Sequence, residues 1–280
     1  MIALILTGDH HVNSTVGLCP GSVTLDDAGT YTPNKTQRWL WRYWRECWQE
    51  ARQFIQEAER SVWIMNGDLV DADHKGRSYQ YITGNKATIT GMAADVIAPG
   101  LDVVDKVLII RGTEAHTGTN GEMEEGLAKN IVKDNKTEVV TNEEGKTLSW
   151  YNYRGVLDGL RIDVAHHTSM GTLAWTDKNA ANKVAADAIM QYTLVGNKIP
   201  NLVVRSHVHR TADSYDNYPT RAIVLPAWQS MTAYGAKLNH NRLSDVGMVI
   251  FLIENGKIVG EKKMIEKLHQ VTRTLWTNQL

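Results

Sequence analysis

Ile5-Leu6-Thr7-Gly8-Asp9-His10-His11 decides the reading of this chain. The apolar run Ile2 to Leu6 stops at an aspartate and two histidines, which reads as a buried first strand with polar side chains at its C-terminal tip. Asp9 and His11 stand two apart. In an extended chain residues i and i+2 point to the same side, so one carboxylate and one imidazole can meet one cation. A single strand end of this kind says little, because many strands finish in polar residues. Its place at the start of the chain also sets an expectation that no domain precedes the site.

The arrangement recurs. Ser61 to Asn66 runs into Gly67-Asp68-Leu69-Val70-Asp71, and Lys106 to Ile110 into Arg111-Gly112-Thr113-Glu114-Ala115-His116. Leu160, Ile162, Val164 and Ala165 lead to His166-His167, and Leu202-Val203-Val204 leads to Ser206-His207-Val208-His209. Five apolar runs therefore end in metal-ligating residue types. In α/β sheets, sites lie beyond the carboxyl ends of the strands, so ligands distant in sequence converge there.

Between these runs the chain is ordinary. Residues 12–35 read as a long loop. Leu40, Trp44, Trp48, Ala51, Ile55 and Ala58 form one apolar stripe of a helix from Thr36 to about Arg60. Trp39 and Trp41 near its start are expected to cap the core or face a partner. Residues 72–87 read as a loop over the strand tips, with His74, Tyr79 and Tyr81 candidates for the mouth of the site. Thr88 to Val104 reads as partly helical, broken at Pro99-Gly100. Gly121 to Asp134 is a helix whose first turn is acidic, which complements its dipole. Thr147 to His166 reads as a hairpin turning at Asp158-Gly159. Asp177 is the N-cap candidate of a helix reaching about Val195. Strands follow at 222–226, 247–253 and 257–264, with a turn at Asn255-Gly256. One domain over residues 1–265 is expected, then a peripheral tail over 266–280. His240 and His269 read as surface or structural.

Composition bounds the possibilities. With 280 residues, 42% hydrophobic and 22% charged, the chain has the make-up of a soluble globular protein with a sizeable core. A net charge of −1 supplies no basic field for tight nucleic-acid binding, though local basic contacts stay open. Cys19 and Cys47 are expected to be free thiols in a reducing compartment. No signal peptide or membrane span is expected, and the expected location is cytoplasmic. Nine Trp and ten Tyr against two Phe suit half-buried surfaces and binding faces.

The order D-x-H, G-D-x-x-D, a G-N-H-like loop, a histidine after a strand, then a G-H-x-H-like pair resembles the calcineurin-like metallophosphoesterases, over roughly residues 1 to 265. The resemblance implies a four-layer α/β/β/α sandwich of two mixed sheets flanked by helices. It implies two divalent metal ions, the first on Asp9, His11 and His209, the second on His166 and His207, with Asp68 bridging them. Mixed Asp/His ligation suits Mn, Fe, Zn or Ni better than Ca. Two such ions roughly 3.5–4 Å apart can clamp a phosphate and hold a hydroxide as nucleophile. Asp71 would orient the catalytic histidine, fixing its tautomer.

Three departures stand out. The Asn of the G-N-H loop is absent: Thr113 holds its place by count, Glu114 is the better ligand by chemistry, and a water is the third option. His116 lies two residues late for the general acid, but it is the only histidine of this loop and a leaving alkoxide needs a proton donor. Ser206 replaces the usual Gly before His207. Two ambiguities accompany these. Either of His166 and His167 could ligate, His166 being preferred because it directly ends the apolar run, and spacing favours His11 over His10. Arg111, Arg205 and Arg210 adjoin motif residues and are candidates for phosphate contact.

The expected activity is metal-dependent hydrolysis of a phosphoester by a metal-bound hydroxide. A phosphodiester is favoured over a monoester, in a nucleotide, a nucleic acid or a small diester. A protein phosphatase is disfavoured, because Ala72-Asp73-His74 follows Asp71 where an Arg is wanted. A phosphomonoesterase and a catalytically weak metal-binding scaffold are the alternatives, the broken G-N-H loop favouring the latter.

Overall fold

The computed structural model describes residues 1–72, 80–134, 137–169, 176–239 and 243–268. The chain runs β1 (Ile2–Thr7), β2 (Val23–Thr24), β3 (Thr30–Tyr31), α1 (Lys35–Phe54), β4 (Arg60–Asn66), α2 (Lys86–Leu101), β5 (Lys106–Ile110), α3 (Glu114–Thr117) and α4 (Glu122–Asp134). It continues with β6 (Glu138–Val139), β7 (Ser149–Trp150), β8 (Asn152–Leu157), β9 (Leu160–Ala165), α5 (Asn179–Leu194), β10 (Leu202–Arg205), β11 (Ala212–Asp213), β12 (Arg221–Val224), α6 (Ala233–Asn239), β13 (Asp245–Glu254) and β14 (Lys257–Lys267).

Two mixed sheets result. One has the order β14-β13-β1-β4-β5-β6, with β7 also pairing with β5, and the other runs β11-β12-β10-β9-β8. Alternation along β1 explains how they pack. Leu4 and Leu6 meet Ile64, Ile110, Ile162, Val204, Ile223 and Phe251 in a core between the two sheets. Ala3 and Ile5 face the other way, into a core shared with α1, α2 and α4. On the far face of the second sheet, the small residues Ala181 and Ala185 of α5 pack on Val203, Ala222 and Val224. The layers are therefore α/β/β/α, as the resemblance implied.

Among the described residues most tryptophans serve the helix-side core, while Trp150 packs half-buried against the core between the sheets. Trp44, Trp48, Trp63 and Trp228 are all 2% exposed or less. Trp44–Trp228 and Trp48–Trp63 meet edge to face with centroids 4.6 Å apart, geometries worth about 0.5–1.5 kcal/mol each beyond area burial. Trp39 stacks on Tyr43, and both it and Trp41 pack half-buried against the same core. The helix α1 starts with a capping box between Asn34 and Gln37. It stops at Phe54, six residues early, because Glu59 N–H must reach Met1 O as β4 begins beside β1.

Other expectations need correction. The helix α2 is not broken at Pro99-Gly100 but runs through both. Pro99 lies in its last turn, and a Cβ on Gly100 would strike Trp48 and Trp63, so glycine there allows close helix packing. Ser149–Trp150 pairs with β5 of the first sheet, so the hairpin begins only at Asn152. Lys178, not Asp177, sits at the N-cap of α5; Asp177 is buried and holds Arg210 at 2.8 Å. The stretch 12–35 contains the small β2–β3 hairpin and sends Leu18 and Cys19 into the core. Both cysteines are free, buried thiols. Among the described residues no helix is long and apolar enough to cross a membrane. His74, Tyr79, His240, His269 and the tail beyond Leu268 lie outside the described residues.

Candidate metal centre

The centre forms where parallel strands stop. In the first sheet β1, β4 and β5 run parallel, and in the second β9 and β10 do. Pairing of β1 with β4 continues past the strand ends through Asp9 N–H to Gly67 O and His11 N–H to Asp68 O, both 2.9 Å. The chain is not extended there. Asp9, His11, Asp68, His207 and His209 have φ of 52°, 45°, 50°, 78° and 53°. Such left-handed conformations cost roughly 1–2 kcal/mol per non-glycine residue. Asp9 and His11 thus meet through successive turns rather than through strand alternation, and strained backbone is concentrated at this centre.

Two glycines make room. Gly67 has φ 78°, and a Cβ there would strike the His166 ring. A Cβ on Gly8 would strike the Ser206 hydroxyl, which is fully buried and accepts from Asn66 Nδ2 at 2.8 Å. Ser206 is therefore matched by the absence of a side chain at Gly8, just past β1.

All eight site residues picked from the sequence come together, joined by His167. Donor atoms lie within 4.8 Å of one another in four overlapping groups: Asp9, His11 and His209; Asp9, Asp68 and His166; His166, His167 and His207; His11, Asp71 and His116. Asp9 and His166, both members of the group that holds Asp68, link the first group to the third. His11, not His10, faces this space: His10 lies against Trp44 and Trp63, and its Nε2 is hydrogen-bonded at 2.8 Å to Thr7 Oγ1, which also accepts from Trp63 Nε1. Burial holds His10 down to about 3, hence neutral. His166 is buried with Nδ1 on Asn66 O at 2.7 Å, which aims Nε2 at Asp68 Oδ2, 3.1 Å away. His116 Nδ1 meets Asp71 Oδ1 at 3.0 Å.

The donor set suits divalent cations. Asp9 Oδ1 and His11 Nδ1 are buried without a hydrogen-bond partner. His11 Nε2 and His209 Nε2 face each other at 3.1 Å. Buried polar atoms without partners are costly, and a cation among them removes that cost. Charge in the metal-free cluster is balanced by protons. Burial works against the ionised form of Asp68, but the charge and hydrogen bond of His166 outweigh it and hold the carboxyl well below the usual range. Burial also opposes protonation of His166, yet Asp68 and Asp9 raise it to about 10. His116 is raised to about 8, its bond to Asp71 and the charge of Asp68 exceeding the cost of burial. Burial, then His209 and His116, lower His11 to about 4.

Several supporting residues had no sequence signal. Asn13 donates to Asp71 O at 2.8 Å and so steadies the residue that holds His116. The carboxylate of Glu124 on α4 is fully buried and accepts from Gly112 N–H at 3.1 Å, fixing the loop that carries Thr113. Asn66, the last residue of β4, could have been noticed as polar in an apolar run. The arginines are engaged elsewhere: Arg111 with Ser149 and the Tyr151 ring, Arg205 with Asp163, Arg210 with Asp177. Tyr81 is partly exposed and its backbone bridges to Ser14. Glu114 is exposed and joins none of the four groups.

No protein-family model matches the sequence, and no curated protein matches it. Solved structures do. A dimetal phosphatase from Danio rerio is 9% identical, with TM-score 0.41, over 90% of this chain and 93% of that one. A predicted phosphoesterase from Streptococcus pneumoniae is 7% identical, with TM-score 0.32, over 94% and 97%. NAD nucleotidase from Haemophilus influenzae is 9% identical, with TM-score 0.37, over 95% of this chain and 49% of its own, so the chain spans about half that protein's length. The α/β/β/α layering described above is the one that the resemblance implies.

Proposed function

We propose that the chain is a metal-dependent phosphoesterase that hydrolyses a phosphodiester in a nucleotide, a nucleic acid or a small diester. The observation that carries this reading is the continuity of the donor groups, from Asp9, His11 and His209 through Asp68 to His166 and His207. When bound, two divalent ions clamp phosphoryl oxygens and supply a hydroxide at neutral pH. Mn, Fe, Zn and Ni all suit Asp/His donors.

The chain's own residues supply the rest. Asp71 accepts from His116 Nδ1, which leaves Nε2 as the face turned to substrate. His116 is about a third exposed, within reach of a leaving oxygen, and its raised affinity for a proton suits a general acid. Asn13 keeps Asp71 in place. The preference for a diester over a monoester rests on charge. The three arginines beside the motifs are spent on Ser149, Asp163 and Asp177, which favours a substrate phosphate with a single negative charge.

The test is to strip the chain with a chelator, restore Mn, Zn or Ni, and compare turnover of bis-p-nitrophenyl phosphate with p-nitrophenyl phosphate. Restored cleavage with a higher kcat/KM for the diester is expected. A chain that rebinds metal and cleaves neither ester is a scaffold, and the enzyme reading fails.

A further inference from the structure

The second half of the centre departs from the pattern that the resemblance implies. That pattern wants an amide oxygen at position 113, and the chain has a threonine. The Thr113 loop is nevertheless held against the centre. Thr113 N–H donates to Asp68 Oδ1 at 2.5 Å, and Gly112 N–H is fixed by Glu124. Three donor atoms surround the Thr113 hydroxyl: Asp68 Oδ2 at 3.2 Å, His167 Nε2 at 3.3 Å and His207 Nδ1 at 3.3 Å. Ligand atoms held about 2.1 Å from one ion stand roughly 3.0–3.4 Å apart in octahedral or tetrahedral arrangements, which is the spacing seen here. His166, His167 and His207 also form a group by themselves, with donor atoms within 4.8 Å. The rings of His167 and His207 are 4.9 Å apart, and those of His166 and His207 5.2 Å.

We propose that the second metal position is a three-histidine site, in which His167 replaces the missing amide ligand and Thr113 supplies a weak fourth or fifth contact through its hydroxyl. This rests on the two-metal reading given above. It assigns His166 and His167 together rather than as alternatives, and leaves Glu114 outside. Exchanging an amide oxygen for an imidazole softens the donor set. The second position therefore favours Zn and Ni over Mn more strongly than an amide-bearing site does.

The experiment counts ions. Metal-free wild type, His167→Ala, Thr113→Ala, Glu114→Ala and the double variant Thr113→Asn/His167→Ala are each dialysed against Zn and separately against Mn. Bound metal is then measured by elemental analysis, with circular dichroism as the check on fold. Wild type should hold two zinc ions. His167→Ala should weaken the second at least 10-fold and spare the first, and Thr113→Ala should weaken it less. The double variant should regain the second ion with its Zn-over-Mn preference reduced. Glu114→Ala should match wild type. Since His167 is exposed on the loop after β9, its truncation leaves the packed layers intact.

Two zinc ions in His167→Ala with unchanged affinity overturn the assignment, with Thr113 then only a hydrogen-bonding hub. So does loss of an ion in Glu114→Ala. A wild-type chain that never holds a second ion overturns the two-metal reading itself, a different result from either.

Discussion

The two halves of the centre are built differently. Asp9 and His11 are fully buried, they follow the spacing of the sequence motif, and only His209 is partly open. The other half has one buried member, His166; His167 is exposed, His207 is half-buried, and Thr113 stands where an amide is expected. The first half is fixed by the interior of the sandwich, through β1 at the middle of its sheet. The second is assembled from loops after β5, β9 and β10. A buried site tolerates little change of ligand, whereas a loop-built one can exchange an amide for an imidazole from the neighbouring residue.

Asp68 joins the halves, so Asp68→Asn should have the largest effect. Turnover of bis-p-nitrophenyl phosphate is expected to fall on the order of 10³-fold, as when a charge-stabilising group is removed from a reacting centre. Both ions should be weakened. A variant that keeps one ion at wild-type affinity would mean that the halves are independent.

Next comes His116, attached to the first half through His11. His116→Ala should lose about 10²-fold or more with an alkoxide leaving group and much less with p-nitrophenolate, which leaves without a proton. The acid must be protonated, so turnover of the alkoxide-leaving ester should fall as pH rises through the pKa of His116. In the metal-free chain that value is raised to about 8, and bound cations lower it. The same raised value means that the Asp71 pairing stabilises the metal-free fold below about pH 6.5 and is lost as pH rises through 8. A leaving-group-independent loss would remove His116 from the acid role.

A smaller signal separates the halves by protons. His166 is raised to about 10, so at pH 8 the metal-free chain holds a proton there that a cation must expel. Zinc titrations in buffers of different ionisation enthalpy should show about one proton released at pH 8 beyond the one given up in forming the hydroxide. Binding that releases none beyond that one would mean that His166 is neutral before the ion arrives.

The smallest effect is expected behind the second half. Burial, then Asp68, raises Glu124 to about 7. A raised carboxyl contributes stability below about pH 4.5 that is lost as pH climbs through 7. Urea unfolding of metal-free Glu124→Gln should therefore show a flatter pH dependence than wild type. Glu124→Ala, which abandons Gly112 N–H, should cost about 1–3 kcal/mol. Equal pH profiles for Glu124→Gln and wild type would remove the group from the balance.

Much of the fold was legible because apolar runs mark buried strands directly: β5 matched residue for residue, and β1 and β4 within one. The gathering of Asp9, Asp68, His116, His166 and His209 was legible for the same reason, since each follows such a run. What stayed hidden depends on tertiary contact. Ser149–Trp150 joins the first sheet by pairing with Ile109 and Ile110 of β5, and α2 runs through Pro99 to Gly100, where the Trp48 and Trp63 rings pack too close for any side chain. Neither Glu124 nor Asn13 lies in any motif, and their roles exist only once distant loops are adjacent. The tryptophan excess suited half-buried surfaces and binding faces; among the described residues Trp39, Trp41 and Trp150 are half-buried while Trp44, Trp48, Trp63 and Trp228 fill a core, since composition does not say which side of a helix a ring occupies.

The backbone bond from Asp245 to His209 has a consequence for when the centre can exist during folding. Asp245 N–H donates to His209 O, and the Asp245 side chain accepts from Thr211 N–H. Asp245 itself begins β13, which pairs antiparallel with β1. His209 faces His11 across 198 positions of sequence, and what holds it there comes later still. Contacts this distant close late, after the entropy of the intervening chain has been overcome. A chain still emerging in synthesis thus has the Asp9–His11 pair long before it has anything to complete the first position. Tight metal capture would then mark the end of folding rather than guide its beginning, and the ion's affinity adds to stability only once the last strands are in place.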